Sequence, residues 1–339
     1  MEEDIRVGLI GYGYWGPNIL RNLAATKGFR PSMLAEVNES RLELAKKLYP
    51  MVEMTTDARA IIENPSIDAV AIVTPVNTHH ALAKAALLAG KHVLVEKPMT
   101  SSIAEAEELV MLAKNKGLVL MVDHVFIYSG PVQKIKEIVD SGQLGDLLFI
   151  DSVRINLGLF QHDVNVVWDL APHDLSIVDY LVGRLPRSLA AFGAVHAGND
   201  IEDVAYLNLD FGGGLIANFH VNWLSPVKIR YTMLGGRNKS LVYNDLDPAE
   251  KIKVYDSGIT ISHDDLESRR GLLISYRSGD IYSPHVAAGE ALAAMIKCFG
   301  DCIRNGRQPL SDGDAGLRIV RILDAAQRSI RAQGGRITL

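Results

Sequence analysis

Three groups of residues in this chain have the types and spacing to do chemistry. The segment "WDLAPHDL" places Asp169 and His173 four residues apart in an apolar stretch. On a helix that spacing puts both side chains on one face. Such a pair can move a proton, give two ligands to a metal, or be an acid beside a satisfied core histidine. The eight residues alone leave all three readings open. The second group is "GYGYWG", with Gly11, Gly13 and Gly16 directly after an apolar run. The third is Lys97 in "VEKP", a cation at the end of another such run.

The glycine spacing matches a dinucleotide fingerprint, and its context is the one the motif requires. The loop follows a strand-like "IRVGLIG" and opens a helix-length "YWGPNILRNLAAT". Gly11 makes the tight turn, Gly13 lets backbone approach a pyrophosphate, and Gly16 lets the helix pack on the strand. The phosphates then meet free N–H groups at a helix N-terminus. Tyr14 and Trp15 lie in the same loop. Glu36 stands twenty residues after Gly16, at the end of the second strand. A carboxylate there accepts from ribose hydroxyls and repels a 2′-phosphate, which puts NAD ahead of NADP. Thr74, Pro75, Asn77 and His79 follow the apolar run "DAVAIV", and Glu96, Lys97 and Pro98 the run "KHVLV". Open α/β sheets bind ligands at such strand ends. All but Pro98 are cofactor-binding candidates.

These residues need a scaffold, and the rest of the chain supplies one. With 339 residues, two domains are expected. In the first half, apolar runs ("SMLAEV", "DAVAIVTP", "KHVLVEKP", "LVLMVDH") alternate with helical stretches. Continuous rather than alternating apolar strands signal a parallel sheet covered by helices. Residues 1–122 are therefore read as an α/β dinucleotide-binding (Rossmann) domain. From 123 to 339 the style changes. "GPVQKIKEIVDSGQLG" reads as a helix stopped by Gly142. A series of strands with short turns follows, with "FGGG" as a hairpin. This predicts an α+β domain with a mostly antiparallel open sheet. One sheet face should carry the helices; the other, rich in Tyr, Trp and Val, is either a subunit interface or unusually exposed, with the interface favoured. Residues 256–282 show no clean period and read as a loop or arm. The chain closes in helices, the last of which can pack back on the first domain.

The bulk numbers exclude several classes. Formal net charge is -5, against a broad nucleic-acid footprint. No run of eighteen apolar residues is present, and the acidic start "MEEDIRVGLIG" is wrong for a secretory signal. A cytoplasmic protein is expected. The two cysteines, Cys298 and Cys302, are read as buried free thiols in a reducing compartment.

"VGLIGYGYWG", "EKP", the D-x-x-x-H pair and the closing "DGDAGLRIVRILDAAQRSI" together resemble the glucose–fructose oxidoreductase/inositol dehydrogenase/MocA family. The resemblance covers essentially the whole chain. It implies bound NAD or NADP, and oxidation or reduction of a hydroxyl on a sugar, cyclitol or similar molecule. It also implies catalytic roles for Lys97, Asp169 and His173, a cis Lys97–Pro98 bond, and a homodimer or homotetramer through the C-terminal sheet. The family's usual arginine in "RFNP" is absent, and "IYSGP" offers Tyr128 instead. Within the family, "RINLGLFQHDVNVVWDLAPHDLS" looks most like members of surface-polysaccharide and nucleotide-sugar pathways. Some of these oxidise C3 of UDP-N-acetylglucosamine or its uronic acid.

With that frame, the chemistry has assignable parts. A histidine's ordinary pKa suits it to take a hydroxyl proton near neutral pH, a role given to His173. Lys97 stabilises developing alkoxide charge. Asp169 orients the imidazole or holds a neighbouring substrate hydroxyl. His124, Tyr128, Arg154, Asn156, Gln161 and Asn165 are candidate substrate contacts. Pro172 in a first helical turn would put Asp169 at the helix entrance or in the loop before it. A metal is not expected, because no second His or Cys pair stands at a matching spacing. Two alternatives stand beside the nucleotide-sugar reading. One is a dehydrogenase of a free sugar or inositol, and the other is a non-catalytic NAD-binding regulator of the same fold.

Overall fold

The computed structural model describes residues 3–158, 164–198, 200–262 and 273–339, with backbone alone for 258–262 and 273–276. The chain forms two compact units. The first comprises residues 1–129 and 289–324, the second 130–288 and 325–339. A single boundary after Val122 therefore does not describe the division. Residues 289–324 return to the first unit, and their closing helix straddles the second boundary.

The first unit begins with β1 (Ile5–Ile10), α1 (Gly16–Ala25), β2 (Phe29–Ala35), α2 (Glu39–Leu48), β3 (Glu53–Thr55) and α3 (Ala58–Ile62). It continues with β4 (Ala69–Ile72), α4 (Val76–Leu88), β5 (His92–Val95), α5 (Ile103–Lys116) and β6 (Leu120–Val122). The sheet runs β3-β2-β1-β4-β5-β6 with every pairing parallel. Its strands are buried on both faces, which is why β4 reads "AVAI" without a polar residue. The order reverses between β1 and β4, so a ligand crevice belongs at the carboxyl ends of these two strands. Val125–Tyr128 form a single 3-10 turn after β6.

The second unit opens with α6 (Gly130–Asp140), β7 (Leu147–Leu157) and α7 (Val166–Val182). Then come β8 (Ser188–Ala194), β9 (Val204–Gly212), β10 (Leu215–Asn222), β11 (Leu224–Gly236), β12 (Ser240–Asn244) and β13 (Ile252–Tyr255). The expected hairpin is present between β9 and β10, with Gly212, Gly213 and Gly214 all at positive φ. Where a loop or arm was expected, β14 (Gly258–Ser262) pairs with β15 (Leu273–Arg277), and β16 (Ile281–Tyr282) adds to β13. Strands this short carry too few alternations for a period to show.

The chain then gives α8 (Ala291–Asn305) and α9 (Gly313–Arg331), and ends in β17 (Ile337–Thr338). The second sheet has nine strands, ordered β16-β13-β12-β11-β7-β10-β9-β8-β17. Among the described residues of this sheet, only β7 and β10 pair in parallel. One face leaves Phe149, Phe192, Tyr206 and Ile216 exposed. Cys298 and Cys302 are free thiols, Cys302 buried and Cys298 half-buried, with sulfurs 3.9 Å apart on α8.

Candidate active site

In the first unit the glycine loop sits where the strand order reverses. Gly11 has φ +97°, and a side chain there would lie 2.3 Å from the carbonyl oxygen of Val73. A side chain at Gly16 would lie 2.5 Å from the Gly11 carbonyl oxygen. Both positions are closed to any other residue. Gly13 differs. A Cβ there would meet only the Arg41 guanidinium, at 3.8 Å, so its backbone faces open space. Helix α1 has no side-chain cap and no acid in its first turn. Its leading N–H groups are thus available to an anion. The loop fits a dinucleotide diphosphate on these counts. When bound, the dinucleotide supplies the hydride-accepting ring.

Glu36 is buried at the end of β2. It accepts from the Tyr12 N–H at 2.6 Å and from the Asn38 N–H at 2.9 Å. The acid therefore braces the loop. Each oxygen keeps a second lone pair for a ribose hydroxyl. Glu36→Gln keeps an acceptor for Tyr12 and removes the charge that repels a 2′-phosphate. The ratio of NADP to NAD affinity is expected to rise about tenfold, an increment of roughly 1.4 kcal/mol. Titration of both cofactors checks this, and an unchanged ratio would refute the role given to Glu36.

The other first-unit candidates divide. Tyr14 is 85% exposed and Trp15 half-buried at the start of α1. Pro75 and Asn77 are exposed and Thr74 half-buried, its hydroxyl 2.7 Å from that of Thr78. His79 is buried, with Nε2 2.8 Å from the Thr74 carbonyl and Nδ1 3.0 Å from the Pro98 carbonyl. It ties the β4 loop to the β5 loop, and both its nitrogens are used inside the fold. Burial lowers its pKa, against the pull of the two carbonyls. The Lys97–Pro98 bond is cis, and Lys97 is half-buried at the end of β5. Glu96 is turned inward, accepting from the Lys97 N–H at 2.9 Å. His124 is buried, and desolvation pushes its pKa down to about 3, so it is neutral.

Tyr128, expected as a substrate contact, is engaged within the fold. It is buried, its hydroxyl 3.0 Å from that of Ser311, and it accepts from the Ser311 N–H at 3.1 Å. Ser311 in turn donates to the Val122 carbonyl. The tyrosine thus fastens the returning segment to the end of β6.

In the second unit Asp169 and His173 both lie on α7, and both are half-buried. The helix starts earlier than Pro172 implies. Asn165 caps it, its side chain accepting from the Trp168 N–H at 3.1 Å, and Pro172 lies inside. Apolar burial along α7 outweighs the hydrogen bond that proline removes. Asp169 is therefore in the first turn, and the one-face i,i+4 picture holds. Trp223, fully buried after β10, donates its indole N–H to Asp169 at 3.1 Å. Gly158 leaves it room, since a side chain there would lie 2.5 Å from the indole. The sequence reading missed Trp223 because nothing local links it to Asp169.

Two further candidates are engaged within the fold. Arg154 is 3% exposed and forms a two-pronged pair with Asp174, both contacts 2.8 Å. Asn165, besides capping, donates to Glu202 and Gln327 at 2.6 Å each. Both were expected as substrate contacts, and both have polar partners within the fold. Asn156 stays half-buried on β7, and Gln161 lies outside the described residues. Among the described residues no group of three or more His, Cys, Asp or Glu side chains is placed to hold a metal ion. No helix among them is long and apolar enough to cross a membrane.

A doubly wound sheet with this glycine loop defines a dinucleotide-binding domain. Residues 5–124 match the oxidoreductase family with an NAD-binding Rossmann fold, and residues 132–239 match the GFO/IDH/MocA C-terminal domain. The chain belongs to the GFO/IDH/MocA family, and it is an NAD-dependent dehydrogenase. It is 32% identical over 265 residues to YdgJ, an uncharacterised oxidoreductase of Escherichia coli K12, covering 74% of each chain. It is 28% identical to the UDP-N-acetylglucosamine 3-dehydrogenase of Acidithiobacillus ferrooxidans, over 93% of this chain and 94% of that one. A solved structure of that organism's enzyme, GnnA, superposes with a TM-score of 0.79 at 25% identity, over 98% and 99% of the two chains. The NADP-dependent scyllo-inositol 2-dehydrogenase IolW of Bacillus subtilis is 25% identical, over 96% and 94%. Kinship with named dehydrogenases sets the regulator alternative aside.

Proposed function

We propose that the protein oxidises a secondary hydroxyl of a nucleotide sugar, at C3 of UDP-N-acetylglucosamine or its uronic acid. The near full-length likeness to the Acidithiobacillus enzyme, in sequence and in structure, carries this reading. His173 takes the hydroxyl proton, Lys97 stabilises the oxygen as it gains charge, and Asp169 holds a neighbouring hydroxyl or the imidazole. Trp223 fixes Asp169 for that task. A free sugar or inositol is the second reading, favoured by the match to IolW along the whole chain.

The test is turnover with NAD on UDP-N-acetylglucosamine, its uronic acid, scyllo- and myo-inositol and free hexoses. NADH absorbance is followed in steady state and in a single turnover. Reduction by a UDP-sugar at the highest kcat/KM supports the reading, and reduction by inositols alone overturns it.

We further propose that the bare sheet face meets a second copy of this chain. Phe149, Phe192, Tyr206 and Ile216 are exposed there, and Phe192 and Tyr206 line a depression of 410 Å³. Exposed aromatic and aliphatic area of this kind marks an interaction surface. Light scattering on Tyr206→Asp should show a smaller species than the wild type.

A further inference from the structure

Asp169 is held from two sides, by the first turn of α7 and by the Trp223 indole. Both supports lead back to one dipeptide, Glu202–Asp203, just ahead of β9. The Glu202 carbonyl accepts from the Val166 N–H at 2.9 Å, at the residue where α7 begins. That N–H is one of the donors a helix start leaves without an internal partner. The Asp203 carbonyl accepts from the Trp223 N–H at 3.0 Å.

The two side chains hold the dipeptide in place. One Glu202 carboxylate oxygen accepts from the Asn165 amide at 2.6 Å, the other from the Gln327 amide at 3.3 Å. Asn165 also donates to Gln327 at 2.6 Å, so the three close a ring of hydrogen bonds. The remaining polar atom of Asn165, its amide oxygen, caps α7 at Trp168. Asp203 is 1% exposed. One of its carboxylate oxygens accepts from the His196 and Ala197 N–H groups at 2.7 and 2.8 Å. The other lies 2.8 Å from His196 Nδ1.

On the catalytic reading of Asp169, we propose that Glu202 and Asp203 are positioning residues: their two consecutive carbonyls fix the entrance of α7 and the tryptophan that holds Asp169. A carboxylate is placed only as well as its own anchors. Trp223 is rigid and fully buried, so a shift of its main chain carries through to the indole N–H. A misplacement of about 1 Å at a reacting group can cost on the order of 10²-fold in rate. Neither acid is a catalytic residue. They act on Asp169 through Val166, Asn165 and Trp223.

The experiment is a cycle of variants, followed in single turnover with NAD and the best substrate. Glu202→Ala removes the partner of Asn165 and Gln327 and should lower the rate about tenfold. NADH affinity should hold within about twofold, because the glycine loop belongs to the other unit. Placed on Asp169→Ala, the same change should cost less than about twofold more, since its effect passes through the missing carboxylate. General loosening of the unit would cost alike in both backgrounds. Asp203→Asn keeps an acceptor for the His196 and Ala197 N–H groups. It should recover most of what Asp203→Ala loses.

A rate within twofold of wild type in Glu202→Ala, or equal losses in the two backgrounds, overturns the positioning role. If Glu202→Ala does not fold, Asn165→Ser takes its place in the cycle, with the same readings. It keeps a capping oxygen for α7 and loses the donors to Glu202 and Gln327. Wild-type turnover in Asp169→Ala would instead sink the catalytic reading of Asp169 itself.

Discussion

Replacing His173 with alanine is expected to lower kcat by about 10²- to 10⁴-fold, the usual span for a positioned general base. NADH affinity should stay within about twofold, because the glycine loop belongs to the other unit of the chain. The variant should fold. His173 is half-buried on α7, and Ser176 back-bonds to its main-chain carbonyl, which alanine retains. Asp169 keeps its anchor on Trp223, so the loss reports the imidazole alone. A transition-state role lowers kcat and kcat/KM together, whereas a binding role raises KM alone. Added imidazole should restore part of the rate. Steady-state and single-turnover kinetics on the best substrate decide it, and a kcat within threefold of wild type removes His173 as the base.

The parts of this molecule that were legible in its sequence are those whose signal is local. The glycine spacing, the strand before it and the acid after it all fall within the span Ile5–Glu36, and the structure arranges them as expected. Continuous apolar strands betrayed the parallel sheet because both faces are buried. β3 and α3 were missed, at three and five residues, too short for any period. Residues 289–324 cluster with the first unit, where the sequence reading allowed only the last helix to pack back. An amphipathic helix announces that it has an apolar face, but not which core receives it.

The same limit governed the polar candidates. Tyr128 is satisfied by Ser311, 183 residues away, and Arg154 by Asp174, 20 away. Asn165 is shared between its own helix and partners up to 162 residues distant. A polar side chain in a loop or strand looks alike whether it waits for a ligand or for a distant partner. Trp223 shows the converse, an aromatic that reads as core and turns out to hold Asp169. Pro172 misplaced the helix start because proline's preference for a first turn is a tendency that tertiary packing overrode.

Asp174→Ala is expected to destabilise the second unit by about 3–5 kcal/mol, the usual cost of removing one partner of a buried ion pair. The geometry puts this pair at the strong end. Both partners are nearly solvent-free, at 3% and 7% side-chain exposure, and the contact is two-pronged at 2.8 Å. Removing the carboxylate takes the two-pronged partner from a buried guanidinium that cannot shed its charge. That loss is a large share of the roughly 5–15 kcal/mol that holds a typical domain together. Urea unfolding monitored by tryptophan emission measures it, since Trp168 and Trp223 both belong to this unit. Arg154→Met with Asp174→Leu should recover most of the stability, because an apolar pair of similar volume needs no desolvation of charge. Catalysis then separates packing from placement. Asp174 directly follows His173, and the pair ties α7 to β7 at that point. If the double variant is stable yet slow, the ion pair serves to hold the imidazole in position. If it is stable and fast, apolar packing alone places the helix. A loss below about 1 kcal/mol in Asp174→Ala would mean that water reaches Arg154 once its partner is gone.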